Sequence, residues 1–114
     1  TAVLLALMAS GLSGQAFAFH GYLPVPGAAR AARVRELEAE STARSCTQVF
    51  IETPYRNAAM LTTLANVLAP RTRLAVAADL TLPTESVSMR AAADWRRVDA
   101  AAYQKRPAIF LLQA

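Results

Sequence analysis

Short apolar runs alternate with helix-forming segments along this chain, and this alternation limits the folds open to it more than any other feature. The runs at Val49–Ile51 and Arg73–Leu80, and the run that begins at Ala108, are too short for typical helices and indicate buried strands. Between them, residues 28–43 and 54–68 repeat apolar side chains at helical spacing. This order predicts an α/β layered domain with a mixed, mostly buried β-sheet flanked by helices.

The boundaries of these elements follow from local signals. Pro54 suits the first turn of a helix, where its missing N–H costs nothing, and Thr53 before it is a natural N-cap. We predict helices at Ala2–Ser10, Ala28–Ala43, Pro54–Leu68 and Ala91–Arg97, and strands at Phe17–Gly21, Val49–Ile51, Arg73–Leu80, Val87–Arg90 and from Ala108. The resulting order is α, β, α, β, α, β, loop, β, α, β.

Size and charge narrow the class of protein. A length of 114 residues is enough for one domain, and a hydrophobic content of 54% favours a packed core over a disordered tail. The net charge of +4 is compatible with a polyanionic partner. Because acidic residues are interleaved with the arginines, solvated helix faces are the simpler interpretation of that charge.

The reactive side chains do not form a recognisable catalytic motif. Cys46 is the only cysteine, which excludes an intrachain disulfide and favours a reducing compartment. His20 is the only histidine, and we interpret it as a core or loop residue in preference to a general base. The sequence contains no phosphate-binding glycine loop, no nucleophile elbow and no cluster of metal ligands.

The amino-terminal stretch "TAVLLALMASGLSGQAFA" has features of a signal peptide, since it is apolar and ends in Ala-Phe-Ala. However, no Lys or Arg precedes the apolar run, and the run is too short to span a membrane. A buried helix at Ala2–Ser10, ended by Gly11, accounts for it as well. We expect a cytoplasmic protein without a membrane contact, and a secreted domain stays open as a weaker alternative.

The stretch "QVFIETPYRN" places Glu52 and Arg56 on either side of a strand-to-helix turn. Ligands of open α/β sheets bind outside the carboxyl ends of the strands, where Glu52 and Asp79 both lie. Two interpretations stay open at this point. The acid and the arginine pair with each other for structural reasons, or they line the mouth of a pocket together with Asp79 and Glu85.

Four stretches of the chain have the order and spacing of a known protein family: "AFAFHGYLP", "QVFIETPYRN", "RLAVAADLTLPTES" and "KRPAIFLL". In these the chain resembles the tetrapyrrole-methylase superfamily of S-adenosylmethionine-dependent methyltransferases, and within it the branch of the ribosomal small-subunit RNA 2′-O-ribose methyltransferases. The resemblance covers residues 1–114 and only the second half of such an enzyme. It implies a carboxy-terminal domain whose preceding domain, with the glycine-rich cofactor loop, is absent from this chain.

The resemblance also implies site residues, cofactor and partners. The implied cofactor is S-adenosyl-L-methionine. The residues implied to contact it are Thr1, Ala2, Ile51, Glu52, Ala78, Asp79, Pro107 and Ala108. The residues implied to lie on the substrate side are Tyr22, Leu23, Pro24 and Arg56. It implies no metal and no single catalytic side chain, because methyl transfer depends mainly on holding the reactants in line. Family members are usually homodimers that bind the cofactor between their two domains.

The methyl acceptor is left open between RNA ribose, another RNA position and a small heterocycle. We expect a fragment of a methyltransferase that contributes one wall of the cleft and is inactive alone, with RNA, in ribosomal RNA processing, as one of the candidate acceptors. The alternative is a non-catalytic dimerisation or interaction module.

Overall fold

The structure of the chain, a computed structural model, describes residues 2–114. In chain order its elements are α1 (Ala2–Ser10), β1 (Phe17–Tyr22), α2 (Gly27–Arg44), β2 (Thr47–Ile51), α3 (Asn57–Val67), β3 (Arg73–Ala78), β4 (Ser86–Ala91), α4 (Ala92–Trp95) and β5 (Ala108–Gln113), with short 3-10 turns at Pro54–Arg56 and Ala100–Tyr103. The predicted order of helices and strands is confirmed. The largest difference is that the helix predicted from Pro54 is a 3-10 turn until Arg56 and an α-helix only from Asn57.

The five strands form one mixed sheet in the order β1-β2-β5-β3-β4. Strand β1 runs parallel to β2, while β2, β5, β3 and β4 pair antiparallel to one another. Strand β5 lies in the centre of the sheet, between β2 and β3. The sheet is therefore mixed, as the sequence predicts, and the carboxyl ends of β2 and β3 lie beside the start of β5.

The larger core lies between one face of the sheet and helices α2, α3 and α4. The rings of Phe50 on β2 and Phe110 on β5 stack with their centroids 5.8 Å apart. Trp95 of α4 is buried and donates its indole N–H to the carbonyl oxygen of Leu74 at 2.7 Å, which satisfies its one polar atom. The first contact joins two strands of the cleft described below, and the second holds α4 against β3.

The opposite face of the sheet carries a smaller core, to which α1 contributes Ala6 and Leu7. The prediction that α1 is buried is wrong for much of its length, because Leu4, Leu5 and Met8 are exposed, Met8 by 80%. The helix contacts the sheet along one side, and nothing else among residues 2–114 covers its apolar outer side. No helix in this part of the chain is both long and apolar enough to cross a bilayer.

Candidate functional site

A cleft of about 390 Å³ lies at the edge of the sheet where the carboxyl ends of β2 and β3 meet the start of β5. Most of the side chains that line it are small or apolar: Ala2, Val3, Phe19, Ile51, Glu52, Pro54, Ala77, Leu80, Pro107, Ala108 and Ile109. Glu52 is the one ionisable side chain among them. The cleft has the position at which open α/β sheets bind their ligands.

Five of the eight residues predicted to contact the cofactor line this cleft, namely Ala2, Ile51, Glu52, Pro107 and Ala108. Thr1, a sixth, lies outside the described residues. The remaining two, Ala78 and Asp79, do not line it, although their neighbours Ala77 and Leu80 do.

Strand geometry explains that difference. Successive side chains of a strand point to opposite faces, so the side chain of Ala77 lies on the cleft side while that of Ala78 packs in the larger core. Asp79 has a φ of 53°, and its carboxylate binds Arg106 instead of facing the cleft.

Glu52 is held by three neighbouring groups at the end of β2. Its Oε2 accepts a hydrogen bond from Nη2 of Arg30 at 2.7 Å, and its Oε1 accepts one from the backbone N–H of Thr53 at 2.7 Å. Nη1 of Arg56 is 3.7 Å from Oε1, so the pairing expected from the sequence exists but is the looser of the two ion pairs.

Thr53 occupies the N-cap position before Pro54, as predicted, but without a side-chain cap. Its hydroxyl makes no capping hydrogen bond to the backbone of the helix that follows. Instead, Oγ1 of Thr53 accepts a hydrogen bond from Nη1 of Arg56 at 3.0 Å. The hydroxyl therefore holds the Arg56 side chain near Glu52.

Arg30 is the residue of the site that sequence reasoning missed. It lies in the first turn of α2, is 4% exposed, and donates from Nε to the carbonyl oxygen of Pro24 at 3.3 Å as well as to Glu52. It therefore joins the loop after β1 to the wall of the cleft. A signal was present in the sequence, because Arg30 shares the helical spacing of the buried Val34 and Leu37.

Of the four predicted substrate-side residues, three are accessible and one is buried. Tyr22 is exposed, whereas Leu23 is 3% exposed and packs in the larger core. Pro24 is exposed and contributes its carbonyl oxygen to Arg30. The side chain of Arg56 is about half exposed, at 46%, beside Glu52. Tyr22, Pro24 and Arg56 are thus accessible, and Leu23 is not.

Asp79 and Glu85 hold the loop between β3 and β4. Oδ2 of Asp79 accepts hydrogen bonds from Nε of Arg106 at 2.8 Å and from the hydroxyl of Thr84 at 2.9 Å. These two hydrogen bonds hold the pKa of the Asp79 carboxyl below its ordinary value, and the bond from Arg106 has the larger effect. Glu85 accepts from the backbone N–H of Thr81. Neither acid lines the cleft, so the pocket mouth hypothesised for them is not formed by their side chains.

The remaining candidate side chains have structural contacts. Nε2 of His20 lies 2.5 Å from Oε1 of Gln48, and its Nδ1 lies 3.4 Å from Nη2 of Arg33. Cys46 is a partly buried free thiol at the start of β2. Within residues 2–114 no three His, Cys, Asp or Glu side chains are grouped so that they could hold a metal ion.

Comparison with known sequences finds relatives over most of the chain. It is 35% identical over 86 residues to the ribosomal RNA small subunit methyltransferase I of Vibrio cholerae, an alignment that covers 75% of this chain and 28% of that protein. The protein of the same name from Mycobacterium tuberculosis strain H37Rv is 40% identical over 87 residues, covering 76% and 29%. The chain thus spans less than a third of the length of the curated relatives it matches. No family model matches it.

Solved structures share the fold at low sequence identity. The methyltransferase CobJ superposes with a TM-score of 0.63 at 19% identity, and the cobalamin biosynthetic enzyme cobalt precorrin-4 methyltransferase, CbiF, with 0.63 at 15%. Each comparison covers 99% of this chain and slightly less than half of the other, 47% and 48% respectively. The predicted fold class and the predicted resemblance are confirmed by these comparisons.

Proposed function

We propose that this chain, a homologue of the ribosomal RNA small subunit methyltransferases I with the fold of half a tetrapyrrole methylase, forms one wall of the S-adenosyl-L-methionine cleft of a methyltransferase. One observation carries the proposal. The resemblance assigned residues of four separate segments to the cofactor, and residues of three of these segments, Ala2, Ile51 with Glu52, and Ala108, line one cleft.

The residues of this cleft fit the cofactor. Its volume of about 390 Å³ lies within the range of roughly 300–1,000 Å³ that is usual for small-molecule sites. Among its lining residues, Ala2, Ala77 and Ala108 have small side chains that leave room for a flat ring, and Ile51 adds apolar surface. When bound, S-adenosyl-L-methionine supplies an electrophilic methyl group, which needs little help from acids or bases.

In this proposal the chain's own residues orient the methyl donor and the acceptor and take no part in bond making or breaking. Arg30 and Thr53 satisfy the carboxylate of Glu52, so this side chain is held in place at the rim of the cleft. The Arg30 bond to Pro24 fixes the loop after β1 in the same arrangement. Catalysis would then come from holding the methyl donor and the acceptor in line.

The other wall, in this proposal, belongs to the domain that precedes these residues in a longer protein. The short coverage of the relatives supports that view, because this chain corresponds to less than a third of their length. The names of those relatives support RNA as the methyl acceptor, a role in ribosomal RNA processing, and a cytoplasmic location. We also propose that the longer protein is a homodimer, as the family resemblance implies.

A non-catalytic interaction module is the second candidate. The exposed apolar side chains Leu4, Leu5 and Met8 on α1 favour it, since contiguous exposed apolar surface marks interaction sites. The two candidates differ in one measurable property, the binding of S-adenosyl-L-methionine in the cleft. A methyltransferase requires this binding, whereas an interaction module does not.

Calorimetric titration of a full-length protein carrying this chain with S-adenosyl-L-methionine tests the proposal. The substitution Ile51→Trp fills the cleft from a partly exposed position and should weaken cofactor binding by at least about tenfold, equivalent to about 1.4 kcal/mol. Ala59→Trp, on the exposed side of α3, is the matched control and should leave the affinity unchanged. Equal affinity for the wild type and a folded Ile51→Trp protein would refute the proposed cleft.

A further inference from the structure

Five arginines lie at the end of the sheet opposite the cleft. We call this group the arginine end, and its members are Arg71, Arg73, Arg90, Arg96 and Arg97. Arg73 begins β3, whereas the cleft lies beyond the carboxyl end of the same strand. At a rise of about 3.3 Å per residue, the two ends of β3 are roughly 17 Å apart.

Backbone hydrogen bonds bring together the segments that carry Arg71, Arg73 and Arg90, and Arg96 and Arg97 follow directly after α4, which begins there. The N–H of Ala92 donates to the carbonyl oxygen of Thr72 at 2.8 Å, and the N–H of Ala93 donates to that of Pro70 at 3.1 Å. The start of α4 therefore lies against the turn that carries Arg71. Arg73 pairs in the sheet with Ala91, the residue after Arg90.

The side chains of Arg90 and Arg96 are held in defined positions at this end. The guanidinium of Arg90 lies over the Trp95 ring, 5.3 Å from its centroid. Arg96 donates to the carbonyl oxygens of Ala65 and Leu68, at the carboxyl end of α3. A guanidinium that binds a ring face or a carbonyl oxygen keeps its full positive charge.

The positive charge at the arginine end is not balanced by ion pairs. Within residues 2–114 none of the five arginines has a carboxylate within salt-bridge distance. Glu38, which lies in this region, already accepts from the N–H of Ala69 and the hydroxyl of Thr72. By contrast, Arg33 and Arg44 on α2 pair with glutamates on their own helix.

We propose that the arginine end is a binding surface for the phosphate backbone of RNA. Guanidinium groups bind phosphate through two parallel N–H bonds, and neutralising several phosphates at once releases counterions, which provides most of the affinity. The arginine cluster is observed independently of the proposed function. The choice of RNA over other polyanions, however, rests on that function. The surface anchors a strand away from the cleft and takes no part in the chemistry.

Fluorescence anisotropy of a labelled single-stranded RNA with this 114-residue chain tests the inference. The variant R71Q/R73Q/R97Q removes three of the exposed charges and should weaken binding by at least about tenfold, with the slope of log affinity against log salt reduced by about 2. The control R33Q/R35Q/K105Q removes the same charge from α2 and from the turn before β5, and should change the affinity less than twofold.

Equal losses in the two triple variants would overturn the inference, since only net charge would then matter. Stronger binding to vesicles that contain anionic lipid than to RNA would overturn it as well. Urea unfolding, followed by the fluorescence of the single Trp95, checks that each variant folds.

Cofactor titration of a full-length R71Q/R73Q/R97Q protein separates this inference from the proposed function. An unchanged affinity for S-adenosyl-L-methionine together with weakened RNA binding supports the arginine end. Should the wild-type protein bind RNA through this surface and not bind the cofactor, the arginine end would stand and the methyltransferase proposal would fail.

Discussion

Nη2 of Arg30 lies 2.7 Å from Oε2 of Glu52, and the two side chains are 5% and 2% exposed. The pair connects the first turn of α2 to the carboxyl end of β2, at the rim of the cleft. A buried charge without a partner is costly, so each of these residues depends on the other. The remaining oxygen of Glu52 is satisfied by the N–H of Thr53, which completes the arrangement.

Replacing Glu52 with glutamine should lower the free energy of unfolding by roughly 3 kcal/mol, because Arg30 keeps its charge in a site that water does not reach. Urea unfolding monitored through Trp95 measures this change. Glu36→Gln is the matched control. It breaks an exposed pair with Arg33 and should cost less than about 0.5 kcal/mol. A Glu52→Gln protein as stable as the control would show that the buried pair contributes little.

The two arginines near Glu52 should differ in their effects. Arg56→Ala should change the free energy of unfolding by no more than about 1 kcal/mol, because Arg56 is half exposed and 3.7 Å from the carboxylate. Arg30→Met, in contrast, leaves Glu52 buried without its cation and should cost roughly 3 kcal/mol. Chemical denaturation of both variants measures the difference, and the opposite ranking would mean that Arg56 is the principal partner.

The pair of Asp79 and Arg106 should make stability depend on pH in the acid range. Since the pKa of Asp79 is lowered in the folded chain, the unfolded chain binds more protons below the ordinary aspartate pKa of about 3.9. The contribution is therefore fully present above that pKa and is lost as the pH falls through the lower folded pKa. Asp79→Asn removes the titrating group and tolerates the φ of 53°.

Denaturation curves between pH 2 and 6, in wild-type and Asp79→Asn proteins, measure this effect; the pH limits are about the range in which an aspartate titrates. The difference in unfolding free energy between the two proteins should shrink towards the acid end. A difference that stays constant with pH would show that Asp79 does not titrate abnormally.

Gly11 should be sensitive to substitution for a reason unrelated to packing. Its φ is +76°, and an added Cβ would meet no atom within 4 Å, so only backbone strain opposes a side chain. Gly11→Ala should therefore destabilise the chain by roughly 1–2 kcal/mol. Gly27→Ala, at the start of α2 with equal space and no positive φ, should be neutral or slightly stabilising. Equal effects in thermal unfolding would contradict this account.

The sequence predicted the fold well because its signals are local. The apolar run from Arg73, the break at Pro70 and the spacing of Leu61 and Leu64 each act within a few residues of chain, and the structure places the corresponding elements within about a turn of the predicted bounds. The exposed side of α1 could not be predicted in this way. Whether Met8 is covered depends on what the rest of the molecule places against it, and no pattern within the helix contains that information.

The cleft was predictable in part for a similar reason. Family resemblance assigned residues at strand ends, and Ile51, Glu52 and Ala108 are indeed at the cleft. It could not distinguish Ala77 from Ala78, because a shift of one residue along a strand reverses the face. Nor could it find Arg30, which meets Glu52 from 22 positions away along the chain. The helical spacing of Arg30 with Val34 and Leu37 indicates that it is buried, but its contact with Glu52 depends on how α2 packs against β2.

The central position of β5 has a consequence for how the chain is made. Strands β2 and β3 both pair with β5 and not with each other, so their facing edges have no partner until Ala108–Gln113 leaves the ribosome. Until that moment the earlier residues emerge as two incomplete strand pairs with open, apolar edges. Such intermediates are prone to aggregate and are what holding chaperones protect. The sheet of this domain therefore cannot be completed until β5 has emerged from the ribosome.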